Sequence, residues 1–196
     1  FSLRLAKATK KVLEQNKKFI TFGGDHSCAI GTWSGVAAHH ARFGLIWIDA
    51  HMDAHTFKTS PSGNLHGMPI ACLLGEGDPA LTSILSEKVK VQPELLSLIG
   101  IRSFEPGEAQ LLQEKNVAVH FSKDVQKFGL LKLLEQHIAD FQAQNIPFGI
   151  SLDLDGLDPR HIDALGTPEK DGLDLEPILH VFENMNLDNF IGLEIT

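Results

Sequence analysis

A rhythm of short apolar runs limits the fold more than any other feature. The runs are Phe19–Phe22, Phe43–Ile48, Leu95–Ile101, Val117–Phe121, Phe148–Leu154 and Phe190–Ile195. They are rich in Ile, Leu, Val and Phe and show little polar alternation. That pattern fits strands buried on both faces of a parallel sheet. Helical spacing falls between them, at Ser2–Lys17, Cys28–Ala41, Pro106–Lys115, Asp124–Gln144 and Leu175–Met185. The alternation predicts an α/β fold with helices on both faces of a mostly parallel sheet.

Three runs lead directly into acidic or histidine-bearing segments: Gly23-Gly-Asp-His-Ser27, Asp49-Ala-His-Met-Asp53 and Ser151-Leu-Asp-Leu-Asp155. Ligands in open α/β sheets bind beyond the carboxyl ends of strands. Side chains alternate along a strand, so Asp49, His51 and Asp53 are expected on one side, and so are Asp153 and Asp155. Carboxylates crowded in this way repel one another and are costly to desolvate. One or two divalent cations make the crowding favourable. The expected ligands are His26, Asp49, His51, Asp53, Asp153 and Asp155. This oxygen-rich donor set with some imidazole favours manganese, iron or magnesium over structural zinc. Cations of that charge acidify a shared water strongly from its bulk pKa of about 15.7 and so provide a nucleophile for a trigonal carbon.

Blander readings fit less well. Asp153-Leu-Asp-Gly-Leu-Asp158 superficially resembles a calcium loop, but its glycine is out of place and Ala164 stands where the closing glutamate belongs. Gly23-Gly24 could form a phosphate-binding turn, but no Walker lysine follows. His39 and His40 end a helix, while His120, His137, His161 and His180 read as surface or core residues. Asp25 and Asp158 read as turn-forming or outer partners, Trp33 and Trp47 as core aromatics. Lys10, Lys11, Lys17 and Lys18 read as a solvated face. The irregular stretches 56–69 and 159–174 follow acidic clusters and are candidate active-site loops; 75–79 is a third irregular stretch.

Composition narrows the partners. Asp and Glu outnumber Lys and Arg by 25 to 17, for a net charge of −8, which disfavours nucleic acid and anionic membranes and suits a cationic substrate or metal. Two cysteines, Cys28 and Cys72, make no disulfide framework and read as buried thiols in a reducing, cytoplasmic setting. No apolar run approaches a membrane span. The chain opens inside a helical pattern and closes inside a strand-like one, so residues 1–196 are expected to form part of one larger domain.

Gly23-Gly-Asp-His-Ser27, Asp49-Ala-His-Met-Asp53 and Ser151-Leu-Asp-Leu-Asp-Gly-Leu-Asp-Pro159 resemble the signatures of the ureohydrolases, which include arginase, agmatinase and formimidoylglutamase. The resemblance runs along essentially the whole chain. It implies a three-layer α/β/α fold, two Mn2+ per subunit held by the six residues above, and a homo-oligomer, trimeric or hexameric. Within the family, Ser62-Gly-Asn-Leu-His-Gly67 resembles arginase. By that resemblance His66 is the proton-shuttling residue, with Asp53 beside it in the catalytic set. Ser62 and Asn64 contact the amino-acid end of the substrate, Glu105 helps hold its amino group, and Thr167 lies near the guanidinium. His55 stands where many arginases carry an asparagine that reads the substrate carboxylate. Glu105 is commonly aspartate, and Ser103 replaces a further acid.

The implied reaction is hydrolysis of L-arginine to ornithine and urea. Two alternatives stand beside it: an agmatinase or other amidinohydrolase, and a non-catalytic metal-binding scaffold or regulatory subunit. The resemblance also implies that the family's first strand and adjoining helix, and a guanidinium-binding glutamate after Thr196, lie outside this stretch. Alone, it is expected to be inactive or very weak.

Overall fold

The computed structural model describes residues 1–162 and 165–196; Asp163 and Ala164, the latter at the closing position of a calcium loop, lie outside the described residues. Six strands form one sheet: β1 (Phe19–Phe22), β2 (Gly44–Ile48), β3 (Leu96–Ile101), β4 (Ala118–Phe121), β5 (Phe148–Leu152) and β6 (Phe190–Ile195). Their order is β1-β6-β5-β2-β3-β4, and every pairing is parallel.

Helices cover both faces. On one side lie α1 (Ser2–Leu13), α2 (Ala29–Ala37) and α3 (Pro69–Leu73), with α4 (Pro79–Thr82) beyond them and α5 (Pro106–Glu114) further along the sheet. On the other lie α6 (Ser122–Phe128), α7 (Leu130–Ala143) and α8 (Leu175–Asn184). Strand pleating divides the core between them. Leu45 and Trp47 of β2 face α2 and its neighbours, while Ile46 and Ile48 join the cluster beneath α7. Both β2 and β5 are buried at every position, which explains their largely apolar sequences. Gly149 of β5 lies directly under Trp33, where an added Cβ would sit 2.4 Å from the indole. This close approach lets α2 pack down on the sheet.

The three-layer α/β/α architecture therefore matches the expectation, with differences at element ends. The helix expected over 124–144 is two helices, because Gly129 has φ +91 and breaks the backbone between α6 and α7. The first helix stops at Leu13 rather than Lys17, and Asn16 turns the chain with φ 55. Helices α3 and α4 were not anticipated; each starts on a proline at its first turn. His120 and His137 pair across β4 and α7, with their Nε2 atoms 3.2 Å apart.

The strand order places the functional residues. From β2 the chain proceeds to β3 and β4, then returns to the other side of β2 as β5 and continues to β6. The reversal lies between β2 and β5, where a crevice opens beyond the carboxyl ends. Asp49 follows β2 directly and Asp153 follows β5 directly.

Candidate metal centre

Strand alternation predicted convergence of the acidic residues, but turns produce it. β5 ends at Leu152, and a 3-10 turn over Leu154–Gly156 follows, with Asp153 as its cap. The Asp153 carboxylate accepts from the Asp155 backbone N–H at 2.9 Å. After β2, Asp53 takes a left-handed backbone conformation, φ 50, which costs a non-glycine residue energy and often marks a functional site. The turn over His26–Cys28 delivers His26 from the β1 side and is capped by Asp25.

Two groups of potential metal donors result. One joins His26, Asp49 and Asp153; the other joins Asp49, His51 and Asp155, so Asp49 belongs to both. His26 Nδ1 lies 2.9 Å from Asp49, 3.2 Å from Asp153 and 3.3 Å from Asp53. His51 Nδ1 lies 3.1 Å from Asp155 and 3.5 Å from Asp49. A bare lone pair cannot face carboxylate oxygens at these distances, so each Nδ1 requires a proton or a cation.

The electrostatics agree. Burial pulls His26 down, but hydrogen bonds to Asp153, Asp49 and Asp53 outweigh it and hold the ring well above its ordinary value. Burial likewise opposes protonation of His51, yet Asp155 and Asp49 push it up to about 11. Burial and the Asp49 charge push Asp53 well above the usual carboxylate range. Without a metal, the cluster takes up protons to lower its negative charge. The donor set fits divalent cations that favour oxygen and imidazole.

Partners behind the donors fix their orientation. His26 Nε2 lies 2.9 Å from Ser151 Oγ, and that hydroxyl donates at 2.8 Å to Glu194, which is fully buried. The Nε2 proton therefore has an acceptor, and Nδ1 is left to face the carboxylates. Trp33 Nε1 also donates to Glu194, at 3.0 Å. Trp47 stacks on His26 with centroids 3.8 Å apart and donates from Nε1 to Asp49 at 2.9 Å. Both tryptophans are core residues, as read, but their N–H groups serve buried acids. Arg102 donates to the carbonyls of Asp155, Gly156 and Glu169 and pins the segment after β5 to β3. The sequence reading missed Glu194 and Arg102. A lone acid inside the apolar run of β6 was the available signal for Glu194, because a buried charge needs partners.

His26, His51, Asp53, Asp153 and Asp155 line a cavity of ≈ 590 Å³, with Asp49 buried behind them. The stretch 56–69 supplies Ser62, Asn64 and His66 to its wall, and the stretch 159–174 supplies Leu165, Gly166 and Thr167. Both candidate loops thus border the cavity; 75–79 does not. Ser62, Asn64 and His66 are exposed. Thr167 Oγ1 donates to Asp155 at 2.6 Å. His55, Glu105 and Glu108 form a third donor group on the cavity wall. His55 Nε2 lies 3.0 Å from Glu105 and 3.3 Å from Glu108.

Comparison with known proteins accords with this geometry. The Arginase family model matches residues 2–196. The arginase of Bacillus caldovelox is 45% identical over 170 residues, covering 87% of this chain and 57% of that protein. The arginase of Entamoeba histolytica is 36% identical over 187 residues, covering 94% and 62%. In structure, B. caldovelox arginase superposes with a TM-score of 0.93 at 40% identity, covering 100% of this chain and 66% of that one. E. histolytica arginase in complex with L-ornithine gives 0.90 at 35% identity, covering 100% and 67%. Formimidoylglutamase from Bacillus subtilis gives 0.80 at 21% identity and shares the fold. The chain spans little more than half the length of the first of these relatives. A family match along nearly the whole chain, on this sheet and around this cluster, establishes that the chain belongs to the arginase family.

Proposed function

We propose that this chain carries the two-metal centre of an arginase-type amidinohydrolase, which cleaves the guanidinium group of L-arginine to give ornithine and urea. The observation that carries the reading is the pair of donor groups sharing Asp49 at the sheet's switch point. His26, Asp49, Asp53 and Asp153 would hold one Mn2+, and Asp49, His51 and Asp155 would hold the second. Bound divalent cations supply an acidified water as nucleophile and a positive field for the developing negative charge.

The protein's own residues do the remaining work. With the four aspartates balanced by two divalent cations, Glu105 and Glu108 remain on the wall to favour a cationic group of the substrate. Asp53, held in its strained conformation, joins the donor group and the catalytic set. His66, exposed on the cavity wall, delivers a proton to the departing amine, a contribution of about 10²–10⁴-fold for a well-placed acid. Thr167, tied to Asp155, borders the guanidinium end. Ser62 and Asn64 bind the amino-acid end, and Glu105 accepts from its ammonium. The family reading adds a homo-oligomer, trimeric or hexameric. Two free, buried cysteines suit a cytoplasmic setting, and no described helix is long and apolar enough to cross a membrane.

Urea release by the full-length, manganese-loaded protein tests the proposal, with arginine and agmatine compared side by side. Preference for arginine is expected. Preference for agmatine would sink the arginine assignment, and metal uptake without turnover of either compound would favour the scaffold reading.

A further inference from the structure

His55 borders the cavity but offers it little. Its side chain is 8% exposed. Nδ1 lies 3.1 Å from Thr59 Oγ1, and Nε2 lies 3.0 Å from Glu105 Oε2 and 3.3 Å from Glu108 Oε2. The backbone N–H of His55 donates to Gly67 at 2.9 Å. Both ring nitrogens therefore have protein partners, and no donor remains for a substrate carboxylate.

The partners are fixed in turn. Thr59 Oγ1 accepts from the Thr56 N–H at 3.0 Å, and its side chain packs where a Cβ on Gly107 would fall, 3.0 Å away. Glu108 is buried and accepts from the Ala54 N–H at 3.0 Å and the Glu105 N–H at 3.0 Å. Glu105 and Glu108 also form a reciprocal capping box at the start of α5. Glu105 differs from the other two, because 55% of its side chain stays exposed, on the cavity wall. Two acids share one imidazole here, so this end of the cavity is at least singly negative when both acids are ionised. It attracts an ammonium and repels a carboxylate.

We propose that His55 is a positioning residue that holds Glu105 as the acceptor for a substrate's ammonium group, so that the group of His55, Glu105 and Glu108 selects the ammonium and itself reads no carboxylate. The inference rests on the guanidino-substrate reading and differs from the role that family resemblance implies for His55. Any preference for a carboxylate then resides with Ser62 and Asn64, outside this group.

Ligands that differ only in their end groups provide the test. Arginine carries both an ammonium and a carboxylate, agmatine only the ammonium, and guanidinovalerate only the carboxylate. In the full-length, manganese-loaded protein, His55→Ala is expected to raise KM for arginine and agmatine about tenfold, the scale of one lost hydrogen bond to a charged group. KM for guanidinovalerate should stay within about twofold, and kcat should change less than KM. His55→Gln, which keeps a donor near Glu105, should restore most of the loss. Should His55→Ala fail to fold, Glu105→Gln is expected to give the same ligand pattern.

The opposite pattern, with arginine and guanidinovalerate weakened and agmatine unmoved, would show that His55 reads the carboxylate. An equal shift for all three would reduce His55 to scaffolding. Either result overturns the proposal. Calorimetric binding of ornithine, putrescine and aminovalerate repeats the comparison without turnover. If no guanidino compound is hydrolysed, the proposed reaction fails, and the calorimetric pattern still decides the role of His55.

Discussion

Two regions of one cavity wall use the same side chains to different ends. The metal-donor cradle brings His26 and His51 against four aspartates. The neighbouring brace brings His55 against Glu105 and Glu108. In the brace, each buried polar group has a matching protein partner: the imidazole bonds to Thr59 and Glu105, and Glu108 accepts two backbone N–H groups. In the cradle, Ser151 takes the Nε2 side of His26, and Nδ1 is left facing Asp49, Asp53 and Asp153. A histidine beside two acids is therefore not by itself a metal site. What decides is whether its remaining lone pair faces donors or anions.

The strongest way to break this contrast is Asp49→Asn. Asp49 belongs to both donor groups and also accepts from Trp47 Nε1 and the His51 N–H. An amide cannot accept at both oxygen positions, so its NH2 would face one of those donors. Urea release is expected to fall by roughly 10³-fold or more, beyond the 10–100-fold typical of an outer partner. Metal analysis should show loss of both ions. Retention of two ions with near-normal turnover would remove Asp49 from the centre.

Removing the metal should expose the difference through pH. His51 is held protonated up to about 11 in the metal-free protein, against an ordinary value near 6.5. Its folded pKa is raised, so its contribution is complete below about 6.5 and is lost as pH rises through about 11. Metal-free protein should therefore lose stability across that window. Mn2+ must displace the same proton, so its affinity should rise with pH. At free Mn2+ a hundredfold above Kd, each ion should add about 2.7 kcal/mol of stability. Melting curves with and without Mn2+, at several pH values, measure both. A metal-free curve that is flat or rises with pH would show that His51 does not face a net anionic cluster.

Most of this contrast was legible in the residues, but not all of it. The apolar runs exposed the sheet because β2 and β5 are buried on both faces and tolerate little polarity. The cradle was legible because its acids directly follow those runs. The pleat argument grouped side chains that the fold brings close together, although a 3-10 turn and the left-handed backbone at Asp53 produce the convergence. Glu194 and Arg102 were less visible, since their partners are 43 residues or more distant for the Ser151–Glu194 bond and 53 for the Arg102–Asp155 bond. The same distance hid the brace. His55 meets Glu105 across 50 residues, and only the fold shows that Glu105 has occupied the histidine's donor.

The line from Glu194 through Ser151 to His26 gives a finer test of the cradle. Glu194→Gln keeps the shape but presents an amide to the Ser151 hydroxyl, Trp33 Nε1 and the Cys28 thiol, all positioned to donate. Ser151 and Trp33 share one carboxylate oxygen and Cys28 faces the other, so the amide oxygen keeps Ser151 and Trp33 while the NH2 turns to the Cys28 sulfur. The acceptor behind Ser151 loses its charge, and the hydroxyl holds His26 Nε2 less firmly. Mn2+ affinity is expected to fall by about 10–100-fold, read by metal titration. Unchanged affinity in a folded variant would confine Glu194 to packing.

The smallest expected effect comes from Glu108→Gln in the brace. Burial, reinforced by Glu105, outweighs the backbone hydrogen bonds to this carboxylate and raises it to about 7. Its folded pKa lies above its ordinary value of 4.5, so its contribution is complete below about 4.5 and lost as pH rises through about 7. Glutamine does not titrate, so the variant's stability curve should be flatter than the parent's across that window. The amide can accept from Ala54 or Glu105 but not with both terminal atoms, which should cost about 1–3 kcal/mol. Both Mn2+ ions should remain, because no atom of Glu108 belongs to the shared donor groups. Loss of metal from this variant would mean that brace and cradle form one electrostatic unit, and the distinction between satisfied and unsatisfied histidines would no longer divide the cavity wall.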